Sequence, residues 1–102
     1  MVSIATFRQM ALSFPGAIEQ PHFEKISFRV KKKIFATLSE ATGIAVLKLS
    51  LLDQSVFCAF DKEIIYPVPG AWGRQGWTML VLKKIKKNML KDALTVAYST
   101  VG

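Results

Sequence analysis

Apolar residues recur every three or four positions at the start of the chain, at Ile4, Phe7, Met10, Ala11 and Phe14, a spacing that lays them along one side of a helix. Ser3 stands where an N-cap hydroxyl is needed, and Pro15-Gly16 stops the helix. After a polar connection the period changes to two: Ile26, Phe28 and Val30 alternate with Lys25, Ser27 and Arg29, and Ile34, Ala36 and Leu38 repeat the alternation beyond the lysines. A hairpin with the three-residue loop Lys31-Lys32-Lys33 pairs Val30 with Ile34, Phe28 with Ala36 and Ile26 with Leu38, which gathers the aliphatic residues on one face. It leaves Phe35 on the other face, across from Arg29, whereas a two-residue loop scatters the aliphatic set. Ser39 to Gly43 reads as a turn, and Ile44 to Leu49 as a central strand, apolar on both sides except at Lys48.

Ser50 and Asp53 have the spacing of a capping box, and Leu52, Val56, Ala59 and Phe60 then predict a short helix with an apolar stripe, ending near Asp61. Ile64 to Tyr66 is extended or a short strand, Pro67 to Gly76 is a loop punctuated by proline and glycine, and Trp77 to Leu82 is a further strand. A second long helix carries Met89, Leu90, Ala93, Leu94, Val96, Ala97 and Val101 on a wide apolar arc opposite Lys91, Asp92, Thr95 and Ser99, with Asn88 as its capping candidate. Helix, strands, helix, strands, helix, joined by hairpin-length connections, predict an α+β fold with an antiparallel sheet packed by the N-terminal and C-terminal helices.

At 102 residues the chain suits one hydrophobic core, so residues 1–102 are expected to form a single domain. Its apolar runs are too short for a membrane span, and Arg8 interrupts the first of them, so no secretory pattern is present and a cytoplasmic location is expected. The single Cys58 has no partner for an internal disulfide and reads as a small core hydrophobe among Val56, Phe57, Ala59 and Phe60.

Charge changes the picture. Fourteen Lys and Arg stand against seven Asp and Glu, a formal net charge of +7, which suits either a polyanionic partner or a solubilising surface. Ten of the fourteen fall in two clusters, Lys25, Arg29, Lys31, Lys32, Lys33 and Lys83, Lys84, Lys86, Lys87, Lys91. The first reads as a basic hairpin tip whose ammonium groups meet phosphates, with Phe35 either offering a ring for stacking or packing beneath a helix. In the second, the lysines crowd a helix N-terminus, where each cation costs about 0.3–1 kcal/mol at low salt and where an anion is welcome.

Phe28-Arg29-Val30, Lys33-Ile34-Phe35-Ala36, Leu47-Lys48-Leu49 and Trp72-Gly73-Arg74-Gln75-Gly76-Trp77, with Leu12 to Gly16 and Ala97-Tyr98, resemble the MmcQ/YjbR family over nearly the whole chain. The resemblance implies a CyaY-like (frataxin-like) fold, a twisted antiparallel sheet covered by helices, and the family's label of DNA-binding protein with a double-wing motif. The chain departs from the family pattern at Lys31-Lys32-Lys33, where glycine is frequent, and at Lys83 to Lys87, where the segment is usually more acidic; both departures add positive charge.

Trp72, Arg74 and Trp77 either read a nucleotide by stacking and charge or fold back onto the core, Trp77 as the start of a buried strand. No catalytic arrangement can be built around His22, the only histidine, or around Cys58, and no metal-ligand cluster, phosphate loop or dinucleotide glycine pattern is present. Frataxin-type iron handling needs an acidic surface that these seven carboxylates do not form.

The sequence therefore predicts a monomeric, non-enzymatic DNA-binding module without cofactor, metal, membrane contact or small-molecule substrate. Lys25, Arg29, Lys31, Lys32, Lys33, Lys48, Trp72, Arg74, Lys83, Lys84, Lys86 and Lys87 are its candidate contacts. A protein-interaction module anchored by the Trp72 loop is the alternative. The DNA reading requires the two lysine clusters to gather on a shared side of the folded chain.

Overall fold

A computed structural model describes residues 1–102. The Ser3 hydroxyl accepts the Thr6 N–H at 3.1 Å and opens helix α1 (Ile4–Leu12). Strands β1 (Ile18–His22), β2 (Lys25–Val30), β3 (Lys33–Ser39) and β4 (Ile44–Lys48) follow, then helix α2 (Leu51–Cys58), strand β5 (Ile65–Pro67), the single turn α3 (Ala71–Arg74), strand β6 (Trp77–Val81) and helix α4 (Lys87–Val101). The six strands form one antiparallel sheet in the order β1-β2-β3-β4-β6-β5, which places β4 inside it as its two-sided apolarity predicts.

Strand β1 occupies what the sequence presents as a polar connection. Ile18 to His22 has no alternation of its own, but it satisfies the outer backbone groups of β2, and Pro21 is tolerated because β1 is an edge strand. Arg8 of α1 ties it down by a two-pronged bond to Glu19, with Nε donating at 3.1 Å and Nη2 at 2.8 Å; this pairing holds the guanidinium pKa above its ordinary value.

The β2–β3 hairpin corrects the predicted register. Ile26 pairs with Leu38 and Phe28 with Ala36 as expected, but Val30 pairs with Lys33 and Arg29 with Ile34. The loop is therefore Lys31-Lys32 alone, and Phe35 is an extra residue in a β-bulge. Both loop lysines have positive φ, +51° and +68°, the pattern of a type I′ turn, whose twist suits a two-residue hairpin. The bulge removes the cost that disfavours a two-residue loop: it sends Ile34 to one face and lets Phe35 join Ala36 on the other.

Phe35 is accordingly buried under the helices, not displayed across from Arg29. Its ring meets Phe14 edge-on at 6.1 Å and Tyr98 at 5.6 Å between centroids, while Phe14 and Tyr98 stack at 4.8 Å. The Tyr98 hydroxyl donates to the Pro15 carbonyl and so joins the end of α1 to α4. Around this knot Phe7 and Ala11 of α1, with Leu90, Ala93, Leu94 and Ala97 of α4, bury against Phe28, Val30, Ala36, Leu38, Ala45, Leu47 and Leu80 of the sheet. Each large side chain removed from water here contributes about 1.5–3 kcal/mol.

Two helix expectations are also corrected. In α2 the Ser50 hydroxyl accepts the Asp53 N–H at 3.1 Å and donates to Asp53 Oδ2 at 2.8 Å, so the cap forms. The expected stripe, however, faces solvent: Leu52 is 74% exposed, and Val56 and Phe60 are exposed as well. Gln54, Phe57 and Cys58 face inward instead, because Gln54 is bonded to the loop beside it. Helix α4 starts at Lys87 with Lys86 at the N-cap and no side-chain cap, which places Asn88 inside the first turn. Buried Ile85 fixes that start, its carbonyl accepting from the Met1 ammonium at 2.6 Å. No helix is long and apolar enough to cross a membrane.

At Gly76 the φ is +101°, and an added Cβ would lie 1.8 Å from the Leu49 carbonyl oxygen, itself next to the Leu49 N–H bond to Gly76 O at 2.9 Å. Gly43 has φ +68° with nothing within 4 Å. Gly76→Ala is expected to lose at least about 3 kcal/mol in urea unfolding, and Gly43→Ala only about 1–2 kcal/mol. Equal losses would contradict the close approach.

Candidate nucleic-acid interface

Helices α1, α2 and α4 all pack on one face of the sheet. By strand alternation the other face presents Ile18, Gln20 and His22 from β1, Lys25, Ser27 and Arg29 from β2, and Ile34 and Thr37 from β3. The line continues with Ile44, Val46 and Lys48 from β4, Tyr66 from β5, and Trp77, Met79 and Val81 from β6. Three cations stand on this face and not one carboxylate. Glu19 points to the helices, Glu24 and Glu40 sit in turns, Asp53 and Asp92 lie on helices, and Asp61 and Glu63 precede β5.

The loop after β5 borders this face and is held from several sides. Val68 N–H donates to Trp77 O at 3.0 Å, Gln75 N–H to Trp72 O at 3.1 Å, and Gly76 N–H to Gly73 O at 3.1 Å. Gln54 is the brace that sequence reading missed. Its amide nitrogen lies 2.9 Å from Gly73 O, 3.2 Å from Trp77 O and 3.1 Å from Thr78 Oγ1, and the Thr78 hydroxyl donates on to Gly76 O at 3.0 Å. A lone glutamine in an apolar helix gives no sign of this until the loop is seen folded against it.

Trp72 is 61% exposed, so it does not fold back onto the core. Trp77 does not enter the core either: it is half-buried on the open face. The two indoles wall a groove of about 380 Å³ whose floor is Ile34, Thr37 and Val46 and whose far rim is His22 and Lys25. Arg74, two residues from Trp72 and so turned about 200° around the helical turn, lines a separate cleft with Leu51, Gln54 and Pro67. Trp72 and Arg74 therefore do not form one reading head.

The sequence-predicted cations separate in the same way. Lys48 is engaged within the fold, its ammonium donating to Gln75 O and lying 5.4 Å from the Trp77 ring centroid. Arg29 is laid along the sheet by its Nε bond to Ser27 Oγ at 3.0 Å. Lys25 borders the groove, and Lys31, Lys32 and Lys33 form the hairpin tip that continues the strand carrying Arg29.

Lys83, Lys84, Lys86 and Lys87 lie at the other end of the molecule. Helix α4 starts there and runs about 22 Å to Gly102, which lies beside Val30 at the foot of the Lys31-Lys32 turn. Glu40 shares a cleft with Lys83. The expected gathering of both clusters on one side is thus not met: α4 holds the hairpin-tip lysines and the lysines before it apart, and Lys25 stands at the far end of β2 from the tip. Only one ion pair forms, Arg8 with Glu19, so the other thirteen Lys and Arg have no carboxylate within 4.0 Å.

No three His, Cys, Asp or Glu side chains converge. Cys58 is half-buried, and desolvation pushes its thiol pKa up, away from the thiolate a nucleophile needs.

A family model described as YjbR matches residues 12–100. The chain belongs to the YjbR family. Its fold is similar to that of the Deinococcus radiodurans protein DR2400, a DUF419-domain protein solved as a crystal structure, with a TM-score of 0.86 and 18% identity over 99% of this chain and 79% of that one. No curated protein matches the sequence. At that identity the neighbour supports the YjbR architecture, helices on one face of an antiparallel sheet, and leaves the open face to be read from this chain's own residues.

Gln54→Leu removes the donor shared by three acceptors around the YjbR-type tryptophan loop and is expected to cost about 1–3 kcal/mol. Amide exchange should accelerate at Val68 and Gln75 beyond the change at Leu94 in α4. Uniform acceleration would mean that Gln54 does not brace the loop.

Proposed function

We propose that this protein is a non-enzymatic nucleic-acid-binding module, with DNA as the partner, that meets phosphates through the open sheet face and the lysine hairpin beside it. The carrying observation is the distribution of charge: Lys25, Arg29 and Lys48 on a face without carboxylates, continued by Lys31, Lys32 and Lys33 at its end. Cations left without acidic partners can neutralise phosphates and release the counterions condensed on them, which gives affinity without sequence readout. The two-residue turn supports the same reading. Positive φ at Lys31 and Lys32 suits Asn and Gly, and a lysine there costs about 1 kcal/mol, so the fold spends stability at the two residues that project its charge.

This assigns unequal parts to the candidates. Lys25, Arg29, Lys31, Lys32 and Lys33 lead. Lys48 helps through the groove wall it orders, and Lys83, Lys84, Lys86, Lys87 and Arg74 form separate patches. The protein-interaction alternative draws on the exposed Trp72 indole, and capture of a partner protein that survives nuclease and is lost in Trp72→Ala would favour it.

With about five phosphate contacts, log K against log salt for a short oligonucleotide should fall with a slope of about −4. Reversing Lys31 and Lys32 to Glu should flatten that slope by about 2, and reversing Lys83 and Lys84 should change it less. Lys31→Asn with Lys32→Gly should raise stability by about 1 kcal/mol in urea while weakening DNA binding, because the change relieves the turn and removes its charge. Fluorescence anisotropy across a salt series checks these outcomes, and a flat response with every nucleic acid tried refutes the proposal.

A further inference from the structure

We infer that the groove lined by Trp72 and Trp77 is a subsite for one unpaired nucleobase, so that the open face takes single-stranded in preference to duplex nucleic acid; this rests on the nucleic-acid reading above. Three independent features of the groove converge on that ligand. Two indoles line it, one of them 61% exposed and so open to a flat ring. Its floor holds Thr37, only 9% exposed, whose hydroxyl forms no hydrogen bond within the protein although every other polar side chain buried in the molecule, Ser27, Gln54 and Thr78, is bonded. Its surroundings are mainly cationic, with Lys25 on the rim and Arg29 on the same strand, against the single carboxylate of Glu24 in the turn beside the rim.

An aromatic slot alone would suit any planar molecule. Basic groups on the same face select a ring that carries phosphate, and the Thr37 hydroxyl, bonded to no protein group and open to solvent, supplies a polar contact for the edge of that ring. At about 380 Å³ the groove lies toward the small end of ligand sites, room for one base with its sugar and not for a duplex. A paired base hides its faces in the stack and offers only edges in the grooves, so indole stacking needs a base that is already unpaired.

The test compares three polyanions at one salt concentration: a 12-nucleotide mixed-sequence DNA strand, its duplex, and inorganic polyphosphate, which has the charge and no base. The single strand is expected to bind about tenfold more tightly than the duplex and to quench tryptophan fluorescence, which polyphosphate leaves unchanged. Trp72→Ala should lower single-strand affinity about tenfold, with polyphosphate binding and the unfolding curve unaltered, since that side chain lies outside the core. Thr37→Val, close in shape, should reduce single-strand affinity with less effect on the duplex. Equal binding of strand and duplex, or a Trp72→Ala protein that holds the strand as well as the parent does, overturns the base subsite while leaving phosphate binding intact. Absence of salt-sensitive binding to all three polyanions overturns both.

Discussion

One extra residue in β3 decides which side of the sheet is which. Without the bulge at Phe35, strict alternation along β3 would carry either the Ile34 side or the Ala36 side of the strand to the wrong layer. With it, Phe35 enters the helical layer, where Phe14 and Tyr98 close around it, and Ile34 turns to the opposite face beside Thr37. The same local device shortens the hairpin to Lys31-Lys32 and so places two ammonium groups at its apex. Core packing and surface charge are thus coupled through a single backbone irregularity.

The covered and open faces are then made by different physics. On the covered side α1 and α4 bury aliphatic and aromatic side chains, a non-directional gain that tolerates little void. On the open side the ordering is polar and local. Gln54 braces the tryptophan loop from behind, Lys48 joins that loop to β4 from the front, and Gly76 lets the backbone pass within contact of Leu49. The result is a groove lined by a held indole, Trp77, and a more exposed one, Trp72.

Positive charge in this chain is distributed by topology, not by proximity in sequence. The hairpin lysines and the lysines before α4 have similar local composition, yet the length of α4 separates them, and only the former adjoin a face free of carboxylates. Kinship with the YjbR family accounts for the architecture and does not determine this arrangement, since a fold shared at 18% identity fixes the sheet and helices while the side chains on the open face belong to each sequence.

Hydrophobic period and capping chemistry were enough to locate α1, β2, β4, β6 and α4, because each buries one face and its pattern must repeat with the geometry of the element. Ser3 and Ser50 marked their helix starts for the same local reason. Elements stabilised by partners were not legible: β1 exists because β2 needs an outer neighbour, and the inward side of α2 is chosen by the bond from Gln54 to the tryptophan loop. The tertiary structure alone brought His22, Thr37 and the two tryptophans to one groove and set the hairpin-tip lysines and those before α4 at opposite ends. A sequence records what each residue prefers locally, whereas a site is defined by which strands become neighbours, and that depends on contacts between residues far apart in the chain.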